Sequence, residues 1–129
     1  MLLRSKLYTL LLFVVFSSSC AYYNTFYNAE QYFEEAEKLR LEKDGEMIPI
    51  SAMDKYGKTI EKSKKVIEDF PESKYVNEAL LLMGKARYYR SDYDLAIDNL
   101  KVIMNDGSDK INEEAKYWQA LCKLSLIHI

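Results

Sequence analysis

The sequence contains few of the residues on which metal sites, disulfide scaffolds and most enzyme active sites depend. Its 129 residues include one histidine, two cysteines, four glycines and two prolines. The single histidine, His128, cannot form a multi-histidine metal site. Cys20 and Cys122 alone provide neither a disulfide framework nor a cysteine pair at zinc spacing. We therefore expect neither a metal centre nor a disulfide-stapled fold.

Other catalytic patterns are missing as well. The glycines are scattered singly, so no glycine-rich phosphate loop is present, and no serine lies in a nucleophile-elbow motif. Adjacent carboxylates occur at Glu34-Glu35 and Glu113-Glu114, on hydrophilic helix faces without an apolar pocket that would shift a pKa. We expect no catalytic residue, no cofactor and no enzymatic activity in this chain.

Charges of both signs are present and mixed along the chain. Of 18 Lys and Arg residues two lie before Cys20, so 16 face 20 Asp and Glu residues, a net charge near −4. Nucleic-acid-binding proteins present a basic face, which this balance does not favour. We therefore expect no nucleic-acid partner.

Apolar residues recur at helical spacing through most of the chain, and no useful length of strand-like alternation is present. Ser51, Ser73 and Asp92 are suitable N-cap residues for the second, third and fourth helices. The predicted helices are residues 22–41, 51–69, 74–90, 93–105 and a fifth from about residue 111. The residues predicted to separate them are Asp44-Gly45 with Pro49, Phe70-Pro71, Ser91-Asp92 and Asp106-Gly107. The predicted fold class is all-α.

Part of the helical pattern repeats. Residues 110–122 (KINEEAKYWQALC) follow the pattern of residues 74–86 (KYVNEALLLMGKA), about 36 positions later, with a small residue at Gly84 or Ala120. Only Ser91 and Asp92 separate the third helix from the fourth, which requires a tight antiparallel turn. Paired helices at a period in the mid-thirties indicate a solenoid of helix-turn-helix units, an architecture that usually presents binding surfaces.

These motifs resemble the tetratricopeptide repeat family, which has Leu-Gly on its first helix and Tyr-x-x-Ala-Ile on its second. The matching structural positions here are Met83, Gly84, Tyr93, Ala96, Ile97 and the closing proline, Pro71. Gly84 and Ala96 are expected where helices approach closely. The departures from the family pattern are Arg87 for an aromatic residue, Gly107-Ser108 for a closing proline and Thr59 for a small alanine. The alternative is a set of generic helical hairpins.

The resemblance also implies a binding surface. In this family the concave groove is formed by first-helix residues that face away from the partner helix. The corresponding positions are Glu78, Leu81, Lys85, Tyr88 and Tyr89, with Glu114, Tyr117 and Leu121 one period later. Lys85 is a candidate for holding a partner carboxylate, and the tyrosines supply contact area with a polar tip. The alternative is that Leu81 and Tyr88 pack against neighbouring repeats.

The N-terminus has the features of an export signal. Arg4 and Lys6 precede an apolar run over residues 7–16, and three serines follow. We predict a signal peptide over residues 1–19, because the apolar run is short for a membrane span.

Cys20 stands where bacterial lipoproteins have their lipid-bearing first mature residue. Ser17 departs from the leucine usual three positions earlier, so plain cleavage after Ser19 is the alternative. The next residues, Ala21 and Tyr22, lack the aspartate that retains some lipoproteins at the inner membrane, which allows an outer-membrane location. Cys122 lies on an apolar helix face and is expected to be a buried structural thiol.

The first mature helix is rich in aromatic residues. They can pack on the following helix, where large rings bury much apolar area, or the first of them can lie at the membrane interface beside a lipid. The residues are Tyr22, Tyr23, Phe26, Tyr27, Tyr32 and Phe33.

The last six residues, 124–129 (LSLIHI), resemble one translated frame of the transposon end used in sequencing libraries. We expect them to be adapter-derived, so that His128 is not native and further repeats followed. The alternative is an ordinary apolar helix end.

Residues 20–123 are accordingly predicted to be a tetratricopeptide-like repeat domain. With its export signal it resembles outer-membrane lipoproteins of the BamD type, which are scaffolds in β-barrel assembly. The resemblance implies a periplasm-facing, lipid-anchored scaffold that binds envelope proteins, among them barrel-assembly components. The alternative is a spacer within a larger envelope enzyme or glycan-binding protein.

Overall fold

The computed structural model describes residues 1–43 and 47–128, and all of their side chains except those of residues 16–19. Five helices and no strand occur within these residues, which confirms the all-α prediction. The helices are α1 (Leu2–Leu41), α2 (Ile50–Asp69), α3 (Val76–Tyr89), α4 (Tyr93–Asp106) and α5 (Asp109–Ile127). The predicted turn at Asp44-Gly45, the side chains of the three serines before Cys20, and Ile129 lie outside the described part.

Helix α1 is much longer than the predicted first helix. It runs for 40 residues from Leu2 to Leu41 and passes without interruption through the apolar N-terminal segment and Cys20. No glycine or proline occurs before Gly45, so nothing local stops the helix. The predicted start at residue 22 was based on the predicted cleavage site before Cys20. That site has no helix-breaking residue.

The predicted N-caps have mixed outcomes. Ser51 is not an N-cap, because Pro49 caps α2 and the helix begins at Ile50. Ser73 does not cap α3, which begins only at Val76; its Oγ instead accepts a hydrogen bond from the Tyr75 N–H at 3.0 Å. Asp92 does occupy the N-cap of α4, although its side chain makes no capping hydrogen bond.

The fifth helix begins two residues earlier than expected. Ser108 is its N-cap residue, and the Asn112 side-chain amide donates to the Gly107 carbonyl at 3.0 Å. This bond bridges the break between α4 and α5. Helix α5 continues through residues 124–127.

The turn between α3 and α4 closes with a left-handed residue. Ser91 has φ 64°, a conformation in which glycine is most common. The Ser91 N–H donates to the Tyr88 carbonyl at 3.0 Å and the Asp92 N–H donates to the Arg87 carbonyl at 2.9 Å. These two bonds are those of a Schellman C-cap, which satisfies the last carbonyls of α3 and reverses the chain within two residues.

The helices pack in a regular order. Each helix contacts the next one in the chain, and α3 also contacts both α1 and α5. No Cα atom of α2 comes within 8 Å of one in α4. We call α1, α3 and α5 the odd-helix row; α2 and α4 pack behind it.

The two small residues of the repeat motif lie at tight contacts. A Cβ atom built on Gly84 would be 2.7 Å from Cγ of Leu100, which is fully buried in α4. Ala96 is fully buried in a cluster with Ile97 and Cys122. Gly84 therefore allows α3 to approach α4, whereas Ala96 allows α4 to approach α5.

Candidate functional site

Lys85 lies at the centre of the odd-helix row. Its Nζ atom is 2.5 Å from Oε1 of Glu114 in α5, and it also lies 5.6 Å from the centre of the Trp118 ring and 5.8 Å from that of Phe33 in α1. The sequence suggested that Lys85 would hold a partner carboxylate. In the structure its partner is Glu114, so this pair joins two of the predicted site residues and connects all three helices of the row.

Tyr88, Tyr89 and Tyr117 gather around Trp118. The ring centres of these tyrosines lie 5.3, 5.8 and 5.8 Å from Trp118, all with edge-to-face geometry. Tyr117 is 59% exposed, whereas Tyr88 and Tyr89 are half-buried. Trp118 was not among the predicted site residues. Its position four residues after Glu114, on the same helix face, was the available signal.

A partly buried polar network of α1 and α2 contacts Tyr89. The Tyr56 hydroxyl donates to the Glu37 carboxylate, and Arg40 donates to both oxygens of Glu37 at 2.7 and 3.1 Å. The Tyr89 ring stacks on Tyr56 at 5.1 Å, and the Arg40 guanidinium lies 4.5 Å from its centre. Together these four residues join α1, α2 and α3.

Burial and hydrogen bonding shift the pKa values of three groups in this network. Burial, with the hydrogen bond to Glu37, raises the pKa of Tyr56 well above its ordinary value. Burial likewise raises the pKa of Tyr89, with a further contribution from the Glu37 charge. The hydrogen bonds to Glu37 raise the pKa of the Arg40 guanidinium. The network positions the Tyr89 ring through its contacts with Tyr56 and Arg40.

An open groove lies between α1 and α3. Its volume is about 380 Å³. It is lined by Phe26, Glu30, Tyr75, Glu78, Leu81, Leu82 and Lys85. We call this the α1–α3 groove. It contains three of the predicted site residues, Glu78, Leu81 and Lys85, and four that the sequence did not indicate.

The α1–α3 groove combines an apolar floor with acidic side chains. Leu81 is only 8% exposed and joins the core that also contains Ile103 and Ala115. Partial burial raises the pKa of Glu30, with further contributions from the charges of Glu34 and Glu78. Leu81 is therefore part of this core as well as of the groove lining.

The remaining predicted position, Leu121, is half-buried on α5. The predicted site thus divides into two parts. Glu78, Leu81 and Lys85 lie in the α1–α3 groove, while the Tyr88, Tyr89 and Tyr117 rings surround Trp118.

Cys20 is exposed on α1, and the described side chains before it are exposed as well. By length and composition this end of α1 is apolar enough to cross a membrane, a property that signal sequences share. Cys122, in contrast, is fully buried, and burial raises the pKa of its thiol.

The aromatic residues after Cys20 divide between the two expectations. The Phe26 ring stacks on Tyr75 at 4.8 Å, and Tyr22 contacts both Phe70 and Tyr75. Tyr23 also lies 6.0 Å from Tyr75 and stacks on Tyr27 at 6.2 Å, but both Tyr23 and Tyr27 stay exposed. Packing therefore accounts for some of the rings, and others remain on the surface.

Within the described residues, no group of three or more His, Cys, Asp or Glu side chains is arranged to hold a metal ion. Comparison of the chain with protein-family models, with curated proteins and with solved structures gives no significant match.

Proposed function

We propose that this chain is a membrane-anchored scaffold of the bacterial envelope that binds protein partners along its odd-helix row. The observation that carries the proposal is the arrangement of α1, α3 and α5 side by side, with tyrosines, Trp118 and an open groove on that row. Aromatic side chains on a rigid helical surface are typical of protein-binding sites.

The helix order supports a tetratricopeptide-like arrangement. In that family the first helices of successive repeats lie next to each other and form the concave surface. Here α1, α3 and α5 would be those first helices, and α2 and α4 the second ones. The contacts of α3 with both α1 and α5, and the separation of α2 from α4, agree with this assignment.

The N-terminal part of α1 supports the proposed anchoring. We propose that residues 1–19 direct export and that Cys20 carries the lipid after their removal. Cys20 is exposed, and the folded helices begin their contacts only a few residues later, at Tyr22. Cys20→Ala should abolish palmitate incorporation, whereas Cys122→Ala should leave it unchanged. Equal labelling of wild type and Cys20→Ala would refute lipidation at this residue.

Partner binding can be tested by site-specific crosslinking. A photo-reactive amino acid at Tyr117 in α5 would report on the odd-helix row, and the same group at Val102 in α4 is the control. The two side chains are 59% and 57% exposed, so they differ in location rather than in accessibility. We expect discrete crosslinked envelope proteins from position 117 only. Equal crosslinking from both positions would contradict a binding surface on the odd-helix row.

Barrel-assembly components are the first partners to test. Co-purification from detergent-solubilised membranes should recover them with the wild-type chain. Recovery of other envelope proteins alone would remove this specific assignment and leave the more general scaffold role.

A further inference from the structure

We infer that the α1–α3 groove binds a basic, amphipathic segment of a partner protein, with an Arg or Lys side chain between Glu30 and Glu78 and an adjacent apolar side chain on the groove floor. This inference rests on the proposed scaffold function and specifies the chemistry of its partner.

The acidic side chains of the groove are not neutralised by the protein itself. Within the described residues, neither Glu30 nor Glu78 takes part in an ion pair. Glu78 Oε2 is shielded from solvent and accepts no hydrogen bond. Both carboxylates line the open groove, where a partner cation can form a charge-assisted hydrogen bond with either of them.

Among the described residues, neither of the two cations near the groove pairs with Glu30 or Glu78. Lys85 reaches the groove, but its Nζ atom pairs with Glu114 at 2.5 Å. Lys74 Nζ lies 5.1 Å from the centre of the Tyr75 ring, at the neighbouring turn. Partial burial raises the pKa of Glu30, and the nearby charges of Glu34 and Glu78 raise it further. The groove therefore carries uncompensated negative charge.

The floor of the groove favours an amphipathic partner over a purely basic one. Phe26 is buried against Val66 and Ala79, with Tyr75 and Leu82 packed on the same cluster. Tyr75 and Leu82 are only partly buried and line the groove with Phe26, so an apolar residue beside the partner's cation would bury additional area on them. An acidic segment would be repelled by the carboxylates of Glu30 and Glu78.

Fluorescence anisotropy with labelled peptides tests the inference on the full chain in lipid nanodiscs. Three short peptides of equal length are compared: one with Leu and Arg, one with Leu and Glu, and one with Ser and Arg. We expect the Leu/Arg peptide to bind roughly tenfold more tightly than the other two. Equal binding of the Leu/Glu peptide would overturn the charge preference, and equal binding of the Ser/Arg peptide would overturn the role of the apolar floor.

Matched variants separate the groove from general electrostatic attraction. The double substitution Glu30→Gln with Glu78→Gln should weaken binding of the Leu/Arg peptide roughly tenfold. The control, Glu61→Gln with Glu68→Gln, removes the same charge from exposed positions of α2 and should change affinity by less than about twofold. Nanodiscs of the same composition are used for wild type and both double variants, so peptide binding to lipid is a shared background. The difference in Leu/Arg peptide affinity between variants then reports on the groove.

Equal loss in both double variants would overturn the inference. Circular dichroism melts establish that each variant is folded before binding is measured. Failure of this test would leave the scaffold role intact, because crosslinking from position 117 measures partner binding without any assumption about partner charge.

Discussion

At the scale of single residues, Gly84 illustrates how little room separates α3 from α4. The space that a side chain at this position would occupy is filled by the Leu100 side chain, which is fully buried. Gly57, the glycine within α2, has a less crowded neighbourhood. A Cβ atom there would meet the tip of the Arg90 side chain at 3.1 Å rather than a buried branch point.

We expect Gly84→Ala to lower the free energy of unfolding by about 1–2 kcal/mol. The added methyl group forces Leu100 from its position, and this overpacking outweighs the gain in helix propensity. Gly57→Ala is the matched control and should be less destabilising, since the added Cβ meets only the Nη1 atom of Arg90 at 3.1 Å and displaces it slightly from its 2.8 Å hydrogen bond to the Met53 carbonyl. Urea unfolding measures both, and equal stability of the two variants would contradict the tight contact at Gly84.

Ser91 is the second residue at which a small change has a defined effect. A non-glycine residue in the left-handed region costs about 1 kcal/mol, so Ser91→Gly should raise the free energy of unfolding by up to that amount. Ser108→Gly is the control: Ser108 has φ −65°, and glycine there should bring no gain. Thermal unfolding of the two variants distinguishes them, and the idea fails if Ser91→Gly is no more stable than wild type.

At the scale of helices, the network around Glu37 determines how α1, α2 and α3 are held together. Tyr56 is fully buried in α2 and donates to Glu37 of α1, while its ring supports Tyr89 of α3. A hydrogen bond to a charged carboxylate contributes more to stability than a neutral one. The network therefore stabilises the odd-helix row near the Trp118 cluster.

Tyr56→Phe should lower the free energy of unfolding by about 1.5–3 kcal/mol, because it removes the donor to a charged partner while keeping the stacked ring. Tyr27→Phe is the control, since Tyr27 is exposed and its hydroxyl should contribute little. Chemical denaturation of the two variants measures the difference. A similar small effect of both would show that the Tyr56 hydroxyl is not important for stability.

The same network predicts a dependence on alkaline pH. The pKa of Tyr56 is raised in the folded protein above the ordinary 10.0, so the folded state holds the phenolic proton more tightly than the unfolded state. Its contribution is complete below pH 10 and is lost as the pH rises further. We expect the wild type to lose stability above this pH more steeply than Tyr56→Phe. Parallel slopes for the two proteins in urea unfolding would contradict this.

At the scale of the whole molecule, the burial of Cys122 reports on the packing of α5 against α4. Its thiol is fully buried beside Ala96 and Ile97, and burial raises its pKa. In a non-acylated preparation, Cys20 should react rapidly with a thiol reagent, whereas Cys122 should react only on unfolding. Mass spectrometry of labelled protein gives the sites. Rapid labelling of Cys122 under native conditions would show that α5 detaches readily from the other helices.

Local sequence signals account for the all-helical fold and for most of the helix ends. Phe70-Pro71 and the Ser91-Asp92 turn act through local sterics and hydrogen bonds, so their effect can be read from neighbouring residues alone. The predicted start of the first helix at residue 22 is wrong, because a cleavage site is not a helix-breaking signal and α1 begins at Leu2. The pairing of Lys85 with Glu114, the contacts of Trp118 with the tyrosines and the placing of Glu30 and Glu78 in one groove depend on the tertiary structure. These contacts connect residues of different helices, so they depend on how each helix is rotated and offset against its neighbours, which periodicity along one helix does not specify.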